Sequence, residues 1–223
     1  MLKLNLPTDG TAPLKVLCLG CHADDIEIGC GGTILQLLAS NPNVHVTWVV
    51  FSASPERAKE ARFSAGRFLE HAKQKEIIVH DFRDGFFPFE GTKIKESVEE
   101  LKKVSPDLIF THSRKDAHQD HRLIAELTWN TFRDHLILEY EIPKYDGDLG
   151  QPGFFVPLSS DVCQAKVRYI IDSFQSQHGK RWFQPDTFFS LMRLRGMESN
   201  AQSGSAEAFY CRKLVLSISQ EPR

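Results

Sequence analysis

The chain has 223 residues, of which 41% are hydrophobic and 25% charged, and its formal charge is -2. That length suits one well-buried core, and the composition fits neither a disordered nor a membrane class. So small a net charge supplies no general basic field for nucleic acid or anionic lipid, and neither is an expected partner.

The opening stretch MLKLNLPTDGTAPLK has no uninterrupted apolar run of the kind a secretory signal needs. No later segment approaches the roughly 20 apolar residues of a membrane helix, so the expectation is a cytoplasmic enzyme without a membrane span. Cys18, Cys21, Cys30, Cys163 and Cys211 are odd in number, which favours reduced thiols over a disulfide framework.

Apolar runs predict strands at Leu14–Gly20, Val44–Phe51, Glu76–His80, Pro106–His112 and Leu136–Ile142. Helical spacing falls between them at Thr33–Ala39, Pro55–His71, Thr92–Val104 and Asp120–Phe132, with Ser54 as N-cap before a proline at the first helical position. This rhythm predicts an α/β fold: one Rossmann-like, doubly wound, mostly parallel sheet with helices on both faces. Further on, Gly147–Ser160 reads as a loop and a candidate substrate lid, Asp161–Gln175 as a helix, and Phe209–Ile218 as a closing strand. No repeat or composition break marks a second domain, so residues 1–223 are read as one.

Within VLCLGCHADDIEIGCGG, Cys18-Leu19-Gly20-Cys21-His22 spells the pattern of covalent haem attachment. In an extended strand, however, two cysteines three residues apart point to opposite faces about 10 Å apart, so they cannot act as a pair. Small buried structural thiols are the better reading. The glycines that follow match neither a dinucleotide fingerprint, because Ile34 stands where the third glycine belongs, nor a phosphate-binding P-loop. They let a helix start close to the sheet and leave its N-terminus open to an anion.

His22, Asp24 and Asp25 lie just beyond the carboxyl end of the first strand, where open α/β sheets place their chemistry. Capping of the next helix by either aspartate is the plainer alternative. The run DAHQDHR, Asp116 to Arg122, lies beyond the fourth strand. In the strand order 3-2-1-4-5, both clusters meet in one crevice at the switch point. His22, Asp25 and one histidine of the second cluster would supply the three protein ligands of a catalytic zinc, whereas magnesium would prefer oxygen alone.

Together, HADDIEIGCGGT and DAHQDHR resemble the two site motifs of the zinc-dependent N-acetylglucosaminyl deacetylases of the PIG-L or LmbE-like type. RAKEARFSAGRFL and AEAFYCRKL look like further blocks of that family, and Ala23 stands where its proline is usual. The resemblance covers most of Leu14 to Leu214 and weakens between Leu136 and Asn200, so residues 143–205 form an expected variable region that sets substrate specificity. It implies Zn2+ held by His22, Asp25 and His121, Asp24 as general base, and protonated His118 as stabiliser of the oxyanion. The implied activity is removal of acetyl from an N-acetylated amino sugar or glycoconjugate.

Asp120 is spaced either to orient a metal-site histidine or to cap its helix. Arg57 resembles a substrate-facing position of the family, against the plainer reading of a solvated arginine. Asp84 would bind sugar hydroxyls, although Asp-Gly is first a turn signal. His112 and His178 are left outside the metal set, and the aromatics of GFFVP and KRWFQPDTFF are read as core more than as sugar platform. An exposed GFFVP loop would also suit a subunit contact in a homo-oligomer. Two rival functions remain: a two-metal phosphoester hydrolase using Asp24, Glu27, Asp116 and Asp120, and a non-catalytic sugar-binding module.

Overall fold

A computed structural model describes residues 3–6 and 12–216. Its sheet is built from β1 (Leu14–Gly20), β2 (Val44–Val50), β3 (Gln74–Val79), β4 (Leu108–His112), β5 (Leu136–Tyr140), β6 (Phe154–Pro157) and β7 (Ala206–Cys211). The order is β3-β2-β1-β4-β5-β7-β6, with the first five strands parallel and the last two joined antiparallel. β1 and β4 lie at the centre, buried on both faces, which is why LKVLCLG and LIFTH read as continuous rather than alternating apolar runs.

Helices α1 (Asp25–Ser40), α2 (Pro55–Phe68), α5 (Ser160–Ser173) and α6 (Pro185–Glu198) enclose one core with one face of the sheet. Helices α3 (Gly91–Glu100) and α4 (Gln119–Thr131) enclose the other. Cys18 belongs to the first core and Cys21 to the second, so the strand points them to opposite faces as the pleat requires. All five cysteines are free.

Several boundaries differ from the sequence reading. Helix α1 begins at Asp25, not Thr33, so Gly29, Gly31 and Gly32 lie inside it rather than before it. A Cβ on Gly29 would stand 2.2 Å from the Tyr140 ring, and one on Gly31 would stand 2.6 Å from Phe68. The glycines therefore serve close packing of α1. The anion beside them is internal: Glu207 accepts from the amides of Gly32 and Thr33, at 2.8 and 2.6 Å, and pairs with Lys166 at 2.6 Å.

The expected lid at Gly147–Ser160 contains β6, an edge strand paired to β7, so GFFVP is a strand segment and not a free loop. The closing strand runs Ala206–Cys211; Lys213–Leu216 continue without regular structure, and Ser217 and Ile218 lie outside the described residues. Helix α6 carries no one-sided sequence pattern because it is nearly as apolar on one side as on the other, packing Phe188 and Met192 inward while leaving Phe189, Leu194 and Met197 exposed. Ser54 caps α2 as expected, its hydroxyl accepting from the Arg57 amide at 3.3 Å ahead of Pro55.

Candidate metal centre

The crevice forms where β1 and β4, hydrogen-bonded neighbours, send the chain to α1 and α4. The turn after β1 carries His22, Asp24 and Asp25, and the turn after β4 carries Asp116 and His118 into the first turn of α4, where Asp120 and His121 stand. Nδ1 of His22 lies 3.2 Å from Nε2 of His121 and 3.4 Å from Oδ2 of Asp25, and that oxygen is 3.6 Å from Nε2 of His121. Ligands bonded at about 2.0–2.1 Å around a tetrahedral ion sit about 3.3–3.4 Å apart. One imidazole nitrogen from each of two rings and a carboxylate oxygen thus form a triangle of the size a tetrahedral cation needs.

Electrostatics agree. Burial opposes charge on Asp25, yet the facing His121, His112 and His22 hold its carboxyl well below the usual carboxylate range. Burial likewise opposes a proton on His22, but Asp25, Asp120 and Asp84 raise its pKa well above the ordinary value. The backbone amide of His22 donates to Asp25 Oδ2 at 2.6 Å and fixes that carboxylate in the turn.

Cys21 and His112 stand close enough to Asp25 and His121 to belong to the same donor cluster. Burial pushes the Cys21 thiol well up. Nε2 of His112 accepts from the Cys21 amide at 3.0 Å, so its lone pair is engaged, and burial lowers its pKa to about 4. His112 is a neutral wall of the site, stacked on His121 with ring centroids 3.9 Å apart.

Asp24 stands at the N-cap position of α1 without making a side-chain cap bond. Its Oδ1 instead accepts from Nη2 of Arg57 at 2.8 Å, so the capping alternative fails for it and the solvated reading fails for Arg57. Asp120 does not cap α4 either. His118 occupies that position, and its Nδ1 accepts from the Asp120 amide at 3.3 Å. With Nδ1 accepting, the proton of the neutral ring sits on Nε2. Burial, followed by the neighbouring His121 and His22, lowers the His118 pKa, and in either charge state Nε2 carries a proton it can donate.

Asp120 Oδ2 accepts from the Gly85 amide at 2.7 Å and Oδ1 from the Phe87 amide at 3.2 Å, and Oδ2 also lies 3.5 Å from His22 Nε2. It therefore pins the turn after β3 over the site. Gly85 holds φ +77 in that turn, as Asp-Gly foretold, and Asp84, with its side chain 68% exposed, places Oδ1 3.0 Å from His22 Nε2. The contact that sequence reasoning missed is Asp116: its Oδ2 meets His121 Nδ1 at 2.9 Å, which leaves Nε2 of that ring turned to the triangle. Its place two residues before the histidine pair was the available signal. His178 lies elsewhere, its Nε2 2.9 Å from the Ile171 carbonyl.

A family model described as PIG-L, GlcNAc-PI de-N-acetylase, matches residues 17–132, a span that contains both turns of the site. The chain belongs to the PIG-L family. Among its relatives, the diacetylchitobiose deacetylase of Thermococcus kodakarensis is 28% identical over 196 residues, covering 75% of this chain and 71% of that protein. Among solved structures, the conserved protein TT1542 of Thermus thermophilus superposes with a TM-score of 0.74 at 18% identity, over 94% of this chain and 100% of that one. GalB, the 4-carboxy-2-hydroxymuconate hydratase of Pseudomonas putida, superposes with a TM-score of 0.71 at 15% identity, over 93% of this chain and 100% of that one. The PIG-L architecture is thus shared by a hydratase, and the reaction has to be argued from the site.

Proposed function

We propose that this chain is a zinc-dependent hydrolase that removes the acetyl group from an N-acetylated amino sugar or its conjugate. The observation that carries the reading is the triangle of His22 Nδ1, Asp25 Oδ2 and His121 Nε2, with sides of 3.2 to 3.6 Å, beside a carboxylate that stands outside it, Asp24. PIG-L membership and the 28% identity to a diacetylchitobiose deacetylase support an amide of an acetylated sugar as the scissile group.

Zinc held by the triangle would supply Lewis acidity, lowering the pKa of a water towards about 7 and polarising the acetyl carbonyl. Asp24, steered by Arg57, takes the proton from the attacking water and returns it to the departing amine. Nε2–H of His118 donates to the oxygen that becomes anionic. Asp120 keeps the His118 turn and the Gly85 turn in register. Arg57 and Asp84 meet the sugar at the mouth, and residues 143–205 read the rest of the conjugate.

The test is acetate release from free, nucleotide-linked and glycosidic N-acetylglucosamine compounds by zinc-loaded wild type and Asp24→Asn. Release by wild type alone supports the proposal; no release from any compound, in protein shown to hold zinc, counts against it. A phosphoester hydrolase with two metals has one observation in its favour, since His22, Asp84, His118 and Asp120 offer donor atoms all within 4.8 Å of one another. Two metals per chain and phosphodiester cleavage would select that reading.

A further inference from the structure

Lys144 follows β5, in the stretch where the resemblance to the family is weak, yet its ammonium reaches the back of the metal centre. Nζ lies 2.9 Å from Oδ2 of Asp116, the same oxygen that meets His121 Nδ1 at 2.9 Å. On its other side Nζ is 2.7 and 2.6 Å from the two oxygens of Asp148. Asp148 in turn accepts from the Ala117 amide at 2.6 Å, and Asp116 Oδ1 accepts from the His118 amide at 2.8 Å. Two carboxylates therefore grip consecutive amides of the turn that leads to His118 and His121, and one cation joins them.

This is not a solvated surface pair. The Lys144 side chain is 14% exposed, Asp148 14% and Asp116 3%. Without the ammonium, two largely buried carboxylates would face each other across the turn and repel. Only the His118 amide would then hold the Asp116 carboxylate beside His121, and nothing else in the crevice holds Nδ1 of that ring among the described residues. A metal-binding histidine whose other nitrogen is fixed by a carboxylate keeps its ring orientation and tautomer.

We propose that Lys144 is a positioning residue of the metal centre, clamping Asp116 against His121 and coupling the loop after β5, through Asp148, to the turn that carries the site. The assignment rests on the reading of His22, Asp25 and His121 as a metal triangle. It gives residues 143–205 a role in holding the reaction centre as well as in reading substrate.

The test uses the full chain and measures zinc affinity by competition with a chromophoric chelator, for wild type, Lys144→Met, Lys144→Arg and Asp148→Asn. Lys144→Met is expected to bind zinc about 10- to 100-fold more weakly, to lower kcat with little change in KM, and to alter the visible spectrum of the cobalt-loaded protein. Lys144→Arg, which keeps the cation, should recover much of the affinity, and Asp148→Asn should lose less than Lys144→Met because the contact with Asp116 survives. Should Lys144→Met fail to fold, Lys144→Gln, which also removes the cation, takes its place: wild-type affinity and an unchanged cobalt spectrum in it overturn the assignment. Wild-type affinity and spectrum in a folded Lys144→Met overturn it alone, whereas wild type that binds no divalent metal overturns it together with the metal reading.

Discussion

Nη2 of Arg57 lies 2.8 Å from Oδ1 of Asp24, joining the first turn of α2 to the turn before α1. Asp25, one residue on, faces three imidazoles instead. Adjacent carboxylates thus have different partners, one a guanidinium and the other a ring of imidazoles. Asp24→Asn should lower acetate release by about 10²- to 10⁴-fold, the usual contribution of a positioned general base, while retaining metal. Activity and metal content measured on one preparation check this; loss of the metal together with activity would move Asp24 into the ligand set.

Asp25→Asn and His121→Ala remove corners of the triangle and should each abolish retention of zinc through a desalting column. In wild type, zinc at 100 times its Kd should stabilise the fold by about 2.7 kcal/mol, seen as a rise in Tm that a chelator reverses. The affinity should also depend on pH with a definite sign. The pKa of His22 is raised in the metal-free chain, so below that pKa the metal must displace a proton, and binding weakens as pH falls. Isothermal titration at several pH values would show proton release growing in the same direction.

Glu27 is fully buried in α1, and among the described residues neither carboxyl oxygen has a hydrogen-bond partner. Burial pushes its pKa well up. The unfolded chain ionises this group near about pH 4.3, whereas the folded chain keeps it protonated to higher pH. Stability from this group is therefore complete below the unfolded pKa and falls as pH rises towards the folded one. Glu27→Gln should flatten that fall and leave the metal-free protein more stable than wild type at alkaline pH. A Tm series from pH 5 to pH 9 that shows parallel curves for the two proteins would refute it.

Gly29→Ala places a methyl 2.2 Å from the Tyr140 ring, in a core with no room to give. Overpacking of this kind costs about 1–3 kcal/mol. The Tyr140 hydroxyl donates to the Leu19 carbonyl at 2.7 Å and lies 3.2 Å from His112 Nε2, so displacement of the ring should also reach the site wall. Denaturant unfolding should show a lower midpoint with an unchanged slope, accompanied by weaker zinc binding; Gly66→Ala, where nothing stands within 4 Å of the added methyl, is the control.

Much of this architecture is written in local pattern. Continuous apolar runs such as LKVLCLG specify strands buried on both faces, and Ser54-Pro55 specifies a helix start, because neighbouring residues alone decide them. Alternation of strand and helix predicts a doubly wound sheet, and in its common order 3-2-1-4-5, which this sheet has, His22 and Asp25 meet the DAHQDHR turn. What local pattern could not supply was pairing between distant segments. The edge formed by β6 and β7 depends on residues more than 45 apart in the chain, and α6 lacks the one-sided apolar stripe that marks a helix.

In the site, the residue types that meet were legible in sequence, because histidine and aspartate stand at the ends of two neighbouring strands, but their partners were not. Arg57 on Asp24, Asp116 on His121, Lys144 on Asp116 and the engagement of His112 by the Cys21 amide are set by where side chains end, not by where they begin. Residue order selected the chemical groups of this protein. Only the folded chain, bringing the turns after β1 and β4 to within hydrogen-bonding distance, decided which of those groups face the triangle and which hold it in place.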